Sequence, residues 1–456
     1  MGLTGRKDAF KSASIRNAQH LAVTKDDAMS KPDKPYRKHE VAGHRLRPET
    51  QMMSYGYDPK LSEWSIKPPV FLTSTFQFET AEAGASFFRV TLGKGQEGDP
   101  ETAGLMYSRF NNPNMEVLED RLALYEGGDE ATVFSSGMAA ISTTLMALAH
   151  SGSVIMQSTP LYGGTESLLR KFLPNYGIQS VDFFASASED ELRAVAEDAM
   201  SKGPVSVIYT ETPTNPTNDL VDLEACKRVA DMIAEKQGKR PFIVVDNTFL
   251  GPVGQAPLAM GIDVVVYSLT KYIGGHSDLI AGSAVGNSAA MGLVRALRGY
   301  LGTNLDAHTC WMLLRSLETV KIRMEAASNG ALKVAEYLRD HPKVERVRYL
   351  GFLEEGSRDA KVHAAQSTSA GSTFAFDLAD EPAAFRMLNA LQVMKLAVSL
   401  GGTETLICHP GSTTHLGVDP ELRKRQGFTE GLVRISVGIE NPDDLIADLR
   451  QALEHV

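Results

Sequence analysis

Val205-Ser-Val-Ile-Tyr209, Phe242-Ile-Val-Val245 and Val264-Val-Val-Tyr267 are three short apolar runs, and each leads into a polar cluster. The first leads to Glu211-Thr-Pro-Thr-Asn215-Pro216, the second to Asp246-Asn247 and the third to Ser268-Leu-Thr270-Lys271. Continuous apolar runs of this length read as strands buried on both faces of a parallel sheet. Upstream, Met138, Ile141, Leu145 and Leu148 step by three and four along a helix, and Ser153-Val-Ile-Met156 follows as another strand. Repeated βα units between 117 and 285 predict an α/β fold with helices on both sides of the sheet. In such a sheet, functional groups gather beyond the carboxyl ends of the strands. Acids, amides, hydroxyls and one lysine therefore converge on a single rim.

The last third follows a different pattern. Helical spacing near 306 to 340, with strands at 346–349, 372–377 and 432–439, predicts a smaller α+β unit. In the last strand Val433, Ile435, Val437 and Ile439 share one face, and Arg434 and Ser436 project from the other. Asn441-Pro442-Asp443-Asp444 then supplies a cap, a first-turn proline and acids for a helix carrying Leu445, Ile446, Leu449 and Leu453. At the other end, residues 1 to 50 hold eleven Lys or Arg against six Asp or Glu. With Lys31-Pro-Asp-Lys-Pro35 this argues for an extended arm. The expected organisation is a partly disordered arm over 1–54, a large parallel-sheet domain over 55–297 and a C-terminal α+β domain over 298–456.

The 456 residues are 43% apolar and 22% charged, a globular composition. Basic residues number 46 and acidic ones 56, a net charge of −10, so the cationic excess that binds nucleic acid is missing and no such partner is expected. No apolar run approaches the roughly 18 residues of a membrane span, and the first 28 residues lack the apolar core of a secretory signal. A cytoplasmic protein without membrane contact is expected. Cys226, Cys310 and Cys408 have no metal-ligand spacing, and His409 beside Cys408 lacks further ligands, so no metal is expected.

The chemistry that uses a lysine, an acid and an anion site together is that of pyridoxal phosphate (PLP). It needs a lysine for the Schiff base and an acid against the pyridinium nitrogen. Lys271 and Asp246 fill those roles. Ser268 and Thr270 stand where they can hydrogen-bond a phosphate from the same turn. Ser135-Ser-Gly137-Met138 opens a helix whose free amides make a second anion site. Tyr162, followed by Gly163-Gly164, offers an aromatic plate for the ring. Singly, each has a plainer explanation: Ser-x-Thr-Lys is commonly a solvated loop and a strand-ending Asp a turn former. Their combination is what carries the reading.

Ser268-Leu-Thr-Lys271-Tyr-Ile-Gly-Gly-His276-Ser-Asp278 resembles the lysine signature of the Cys/Met metabolism family of PLP enzymes. Further matches run in the family's order: Tyr107-Ser-Arg109-Phe-Asn-Asn-Pro113, Leu161-Tyr-Gly-Gly-Thr165, Val245-Asp-Asn-Thr248, Val398-Ser-Leu-Gly-Gly-Thr-Glu404 and Leu432-Val-Arg-Ile-Ser-Val-Gly438. The resemblance spans about 55 to 456 and implies a fold type I PLP enzyme. It implies covalent cofactor attachment at Lys271, Asp246 at the ring nitrogen, Tyr162 over the ring, and Asn215 near the ring hydroxyl or the substrate carboxylate. Ser135-Ser-Gly-Met138, a further match in the family's order, falls on the helix start already read as an anion site. Arg434, helped by the backbone at Ser399, would clamp the substrate α-carboxylate. Tyr107 and Arg109 would reach the phosphate of a neighbouring subunit, which implies a homo-oligomer, a dimer usually paired into a tetramer. The implied activity is γ-replacement or γ-elimination on a sulfur-containing or O-acylated amino acid. Lys271 would then move protons, and Tyr162 would serve as acid or base.

Among these enzymes the cystathionine γ-synthase and γ-lyase type is expected, with methionine γ-lyase or O-acylhomoserine sulfhydrylase as the alternative. Methionine γ-lyases usually carry a cysteine where Gly164 stands and a Lys-Asp pair near Arg298-Gly299. His409-Pro410 with Thr413-Thr-His415, in contrast, resembles the methionine γ-lyase and sulfhydrylase ending. The stretch 90–104 looks like an insertion, either a surface loop or part of substrate access. Its Gly93, Gly95 and Gly98 spell a dinucleotide fingerprint, but Asp99-Pro100 follows instead of a helix, which argues against a dehydrogenase.

Overall fold

The computed structural model describes residues 36–100 and 104–456. The proline-rich stretch 31–35 and most of the basic arm lie outside the described residues. The large sheet has seven strands: β1 Glu130–Phe134, β2 Val154–Thr159, β3 Gln179–Phe184, β4 Val205–Glu211, β5 Phe242–Asp246, β6 Val264–Ser268 and β7 Gly282–Gly286. Their order is β1-β7-β6-β5-β4-β2-β3. The pairs β2–β3, β2–β4, β4–β5 and β5–β6 are parallel, while β7 is antiparallel to both β1 and β6. The sheet is therefore mixed. β6 and β7 are joined through the lysine loop, with no helical crossover to reverse the chain, so the second strand returns antiparallel.

Side chains on β5 and β6 alternate between the two faces. Ile243 and Val245 pack with Leu192, Ala196, Val229 and Ile233 of the helices Glu189–Lys202 and Leu223–Gln237. Val244, Val264 and Val266 pack on the other side with Ile141, Leu145, Met291 and Val294 of Gly137–Leu148 and Ser288–Leu301. This burial on both faces is why the two runs show no polar alternation.

The smaller sheet comprises β8 Arg346–Arg348, β9 Thr373–Asp377, β10 Lys395–Leu396, β11 Leu406–Cys408 and β12 Leu432–Ser436, in the order β8-β9-β12-β11-β10. Val433, Ile435 and Val437 enter the core formed with the helices Val320–Arg339, Glu381–Ala390 and Pro442–Leu453. Ile439 lies past the strand and is exposed, so the apolar face ends one position earlier than its alternation predicts. Arg434 and Ser436 point the other way: the Arg434 guanidinium contacts Asn215 of the large unit, and the Ser436 hydroxyl accepts from the Gly401 amide.

Between 36 and 54 the chain is docked onto the large unit. Arg37 pairs with Asp120, and Met52 is fully buried. In the 90–104 stretch, the described part folds back on the helix Ala81–Thr91 through an Arg89–Asp99 pair. No helix starts at Gly93, Gly95 or Gly98.

Candidate active site

The polar ends of β4, β5 and β6 form one connected site. Asp246 ends β5; its Oδ1 accepts from the Thr248 amide at 3.0 Å and the Thr248 hydroxyl at 2.6 Å. The Tyr209 hydroxyl donates to Oδ2 at 3.4 Å. Thr248 Oγ1 in turn accepts from the Ser268 amide at 3.0 Å, which ties the end of β5 to the end of β6. Burial holds the Asp246 carboxyl above its ordinary range, with the Thr248 bonds opposing. Glu211 faces Asp246 across the β4–β5 register and is raised well above its usual range by burial first and by the Asp246 charge second.

Lys271 follows β6. Its Nζ donates to the Ser399 hydroxyl at 2.7 Å. Burial, and then the neighbouring Arg434 charge, bring the amine down to about 8. Arg434, on β12, donates to Asn215 Oδ1 at 3.1 Å and to the Ser399 carbonyl at 2.7 Å, while its Nε is buried without a partner. Lys271, Ser399, Arg434 and Asn215 are thus one hydrogen-bonded cluster drawn from both units.

The helix Gly137–Leu148 begins against this rim. Ser136 caps it by accepting from the Ala139 amide at 3.0 Å. The amides of Gly137 and Met138 have no acceptor among the described residues. A Cβ on Gly137 would sit 2.8 Å from Ser268 Cβ, so only glycine lets the helix start this close to the lysine loop. Tyr162, 40% exposed, lies beside Gly164 and close to Met138. Thr270 spends its hydroxyl on Ala281, donating to the carbonyl at 3.2 Å and accepting from the amide at 3.1 Å.

Two predicted residues stand apart. Tyr107 is 43% exposed. Arg109 stacks on Phe110 at 4.2 Å and donates to the Gly299 carbonyl. Neither makes a hydrogen bond, ion pair or ring contact with Lys271, Asp246, Asn215 or Arg434. Of the plainer sequence readings, His409 has both ring nitrogens engaged, with Ser412 Oγ at 2.9 Å and the Glu430 carbonyl at 2.8 Å. His276 bonds the Gly274 carbonyl at 2.8 Å, and Cys226 and Cys310 are buried.

Sequence reasoning gave no role to Thr248, Glu211 or His415. Thr248 and Glu211 sit inside quoted motifs, but only strand register shows what they touch. His415 is buried with Nε2 unpartnered, and burial lowers its ring to about 4.

A phosphorylated pyridine aldehyde fits this set. Acceptor-free amides at a helix N-terminus sit against Ser268 for an anion, a buried acid ends the adjacent strand, and a buried amine with a depressed pKa is available for the aldehyde. Comparisons with known proteins agree. Residues 49–454 match the family described as Cys/Met metabolism PLP-dependent enzyme. An L-methionine γ-lyase of Fusobacterium nucleatum subsp. polymorphum is 40% identical over 396 residues, 86% of this chain and 94% of that protein. A cystathionine β-lyase of Bacillus subtilis (strain 168) is 36% identical over 417 residues, 91% of this chain and 98% of that protein. The crystal structure of a cystathionine γ-synthase from Xanthomonas oryzae pv. oryzae has a TM-score of 0.78 at 30% identity, covering 90% of this chain and 98% of that one. The chain belongs to the Cys/Met metabolism family of PLP-dependent enzymes.

Proposed function

We propose that this enzyme catalyses γ-replacement or γ-elimination on a sulfur-containing or O-acylated amino acid, of the cystathionine γ-synthase or γ-lyase type. The observation that carries the subfamily reading is Gly164. A Cβ there would lie 2.6 Å from the Tyr162 ring and 3.0 Å from Met138 Sδ, so a cysteine at this position would displace the ring. Arg298, at the second diagnostic position, is buried in an ion pair with Glu119 at 2.6 Å and a hydrogen bond to the Val133 carbonyl. It is a structural tie rather than a substrate group. Methionine γ-lyase or O-acylhomoserine sulfhydrylase is the second reading, and the methionine γ-lyases among the relatives favour it.

Lys271 would hold PLP, with Asp246 at the ring nitrogen, Tyr162 over the ring, Asn215 at its hydroxyl edge, and Gly137, Met138 and Ser268 around the phosphate; Thr270 would join them by turning its hydroxyl proton from the Ala281 carbonyl to the phosphate. Bound PLP supplies an electron sink that acidifies the substrate's α and β C–H bonds. Arg434 orients the substrate by forking onto its α-carboxylate, already aimed by Asn215 and the Ser399 carbonyl. Lys271, neutral in a substantial fraction near pH 8 because it is buried, takes and returns protons on the face it occupies. The Tyr162 hydroxyl acts as acid or base at the amine or leaving group. Whether water or a thiol then enters decides between an oxo acid with ammonia and a new thioether.

Tyr107 and Arg109 complete the phosphate site of a second copy. Exposed Trp64, Ile66, Leu72 and Tyr300 support a homodimer, with dimers pairing into a tetramer. Three buried, unpaired cysteines suit the reducing cytoplasm.

The test is a mass-spectrometric product assay on the PLP-loaded protein. One reaction contains an O-acylhomoserine with cysteine; others contain cystathionine or methionine alone. Cystathionine formed in the first establishes the synthase. Oxobutyrate and ammonia from cystathionine establish the lyase. Turnover of methionine alone sinks the cystathionine reading.

A further inference from the structure

We propose that Glu211 is a positioning residue of the active site, whose two carboxylate oxygens lock the Tyr162 turn and the Asn215 loop into one rigid unit. This rests on the reading of Tyr162 and Asn215 as cofactor contacts. Glu211 Oε2 accepts from the Tyr162 amide at 2.9 Å, and Oε1 accepts from the Asn215 amide at 2.9 Å. These segments come from separate βα connections, 49 and 4 residues away from Glu211 in sequence. Among the described residues no other side chain accepts a hydrogen bond from both. The carboxylate is buried, and its own amide is held by Ser158 Oγ at 3.0 Å, so its position is fixed at both ends.

The consequence for the site follows from what each amide carries. Fixing the Tyr162 nitrogen sets the backbone from which the aromatic plate extends. Fixing the Asn215 nitrogen sets the side chain whose Oδ1 takes the Arg434 guanidinium at 3.1 Å. One carboxylate therefore governs the ring plate directly and the carboxylate clamp through Asn215. Charge alone does not explain a buried glutamate beside Asp246, since burial and that neighbour both disfavour its ionised form. Two directed N–H bonds in a dry site do.

Two variants test this on the full-length protein loaded with PLP. Glu211→Gln keeps the shape but replaces one acceptor oxygen with a donor, so one of the two amides loses its partner. Glu211→Asp keeps the carboxyl group and shortens its reach. PLP affinity, the absorbance spectrum of the bound cofactor, kcat, KM and Tm are measured for each. The expected result is at least about tenfold weaker PLP binding, a shifted absorbance maximum and a higher KM, in whichever variant folds. A folded variant with lowered Tm but wild-type affinity, spectrum and KM overturns the proposal, because that is the signature of a merely structural carboxylate. Should Glu211→Gln fail to fold, Glu211→Asp decides by the same readouts. Tyr162→Ala and Asn215→Ala run in parallel. If both keep wild-type PLP affinity and spectrum, the cofactor-contact reading itself fails, whatever the Glu211 variants do.

Discussion

The Lys271 amine donates to the Ser399 hydroxyl at 2.7 Å, and Ser399 holds that hydroxyl in place from a left-handed backbone, φ +89°, that side chains other than glycine rarely adopt. The contact joins the lysine loop to a segment 128 residues later. A strained residue kept against this buried amine has a consequence in each direction.

Ser399→Gly removes the conformational penalty, of about 1 kcal/mol, so Tm should rise by a few degrees. Ser399→Ala keeps the strain but deletes the acceptor that favours the ammonium form, so the lysine pKa should fall below its present value of about 8. Because only the neutral amine attacks an aldehyde, the rate at which cofactor-free protein takes up PLP should rise with pH through about 8 in the wild type. In Ser399→Ala the midpoint should be lower. An unchanged midpoint would show that the hydroxyl does not tune Lys271.

Arg434 presents a pre-aimed fork, with one arm on Asn215 Oδ1 and the other on the Ser399 carbonyl. A lysine supplies the charge but only a point contact. Arg434→Lys should therefore raise KM for an amino-acid substrate by about 10- to 100-fold, the loss of one charge-assisted bond of about 1.5–3 kcal/mol. PLP content should stay at the wild-type level. A drop in PLP content with KM unchanged would place Arg434 on the cofactor instead.

Glu126 is buried against the Tyr267 hydroxyl, its Oε2 has no partner, and burial raises its carboxyl to about 8. The unfolded chain releases this proton near 4.5, the folded one near 8. Between those values the unfolded state binds fewer protons, so stability falls as pH rises, with a limiting slope of about 1.4 kcal/mol per pH unit. Below the lower value the contribution is fully retained. Glu126→Gln, neutral at every pH, should remove this component. The wild type should lose more Tm than the variant between pH 5 and pH 8, and parallel profiles would contradict the assignment.

Much of this architecture is legible from the chain because burial on two faces leaves an uninterrupted apolar record, as in β5 and β6. β7, Gly282-Ser-Ala-Val-Gly286, carries no such record: it is a strand because β1 and β6 supply ladder partners on both edges. β3 escapes for the opposite reason. It sits at the sheet edge, where exposed Gln179 and half-buried Ser180 and Asp182 break the run. At the site, Lys271 and Asp246 stand out because strand ends advertise them. Glu211 does not, since its meaning depends on the register that sets it opposite Asp246 and on an amide 49 residues away.

Gly137 poses two effects of opposite sign. Glycine inside a helix costs about 1 kcal/mol relative to alanine, so propensity alone says that Gly137→Ala should stabilise the protein. Yet the new Cβ would lie 2.8 Å from Ser268 Cβ and 3.0 Å from its Cα, and a backbone atom cannot swing aside as a side-chain tip can. Overpacking of this kind costs about 1–3 kcal/mol, enough to exceed the propensity gain. Relief requires the helix start and the lysine loop to separate, which pulls the Gly137 and Met138 amides away from Ser268. Gly137→Ala should therefore weaken PLP binding by about tenfold or more, measured by titrating the cofactor-free protein, while Tm falls by only a few degrees. A variant with higher Tm and undiminished PLP affinity would mean that the phosphate does not depend on this close approach.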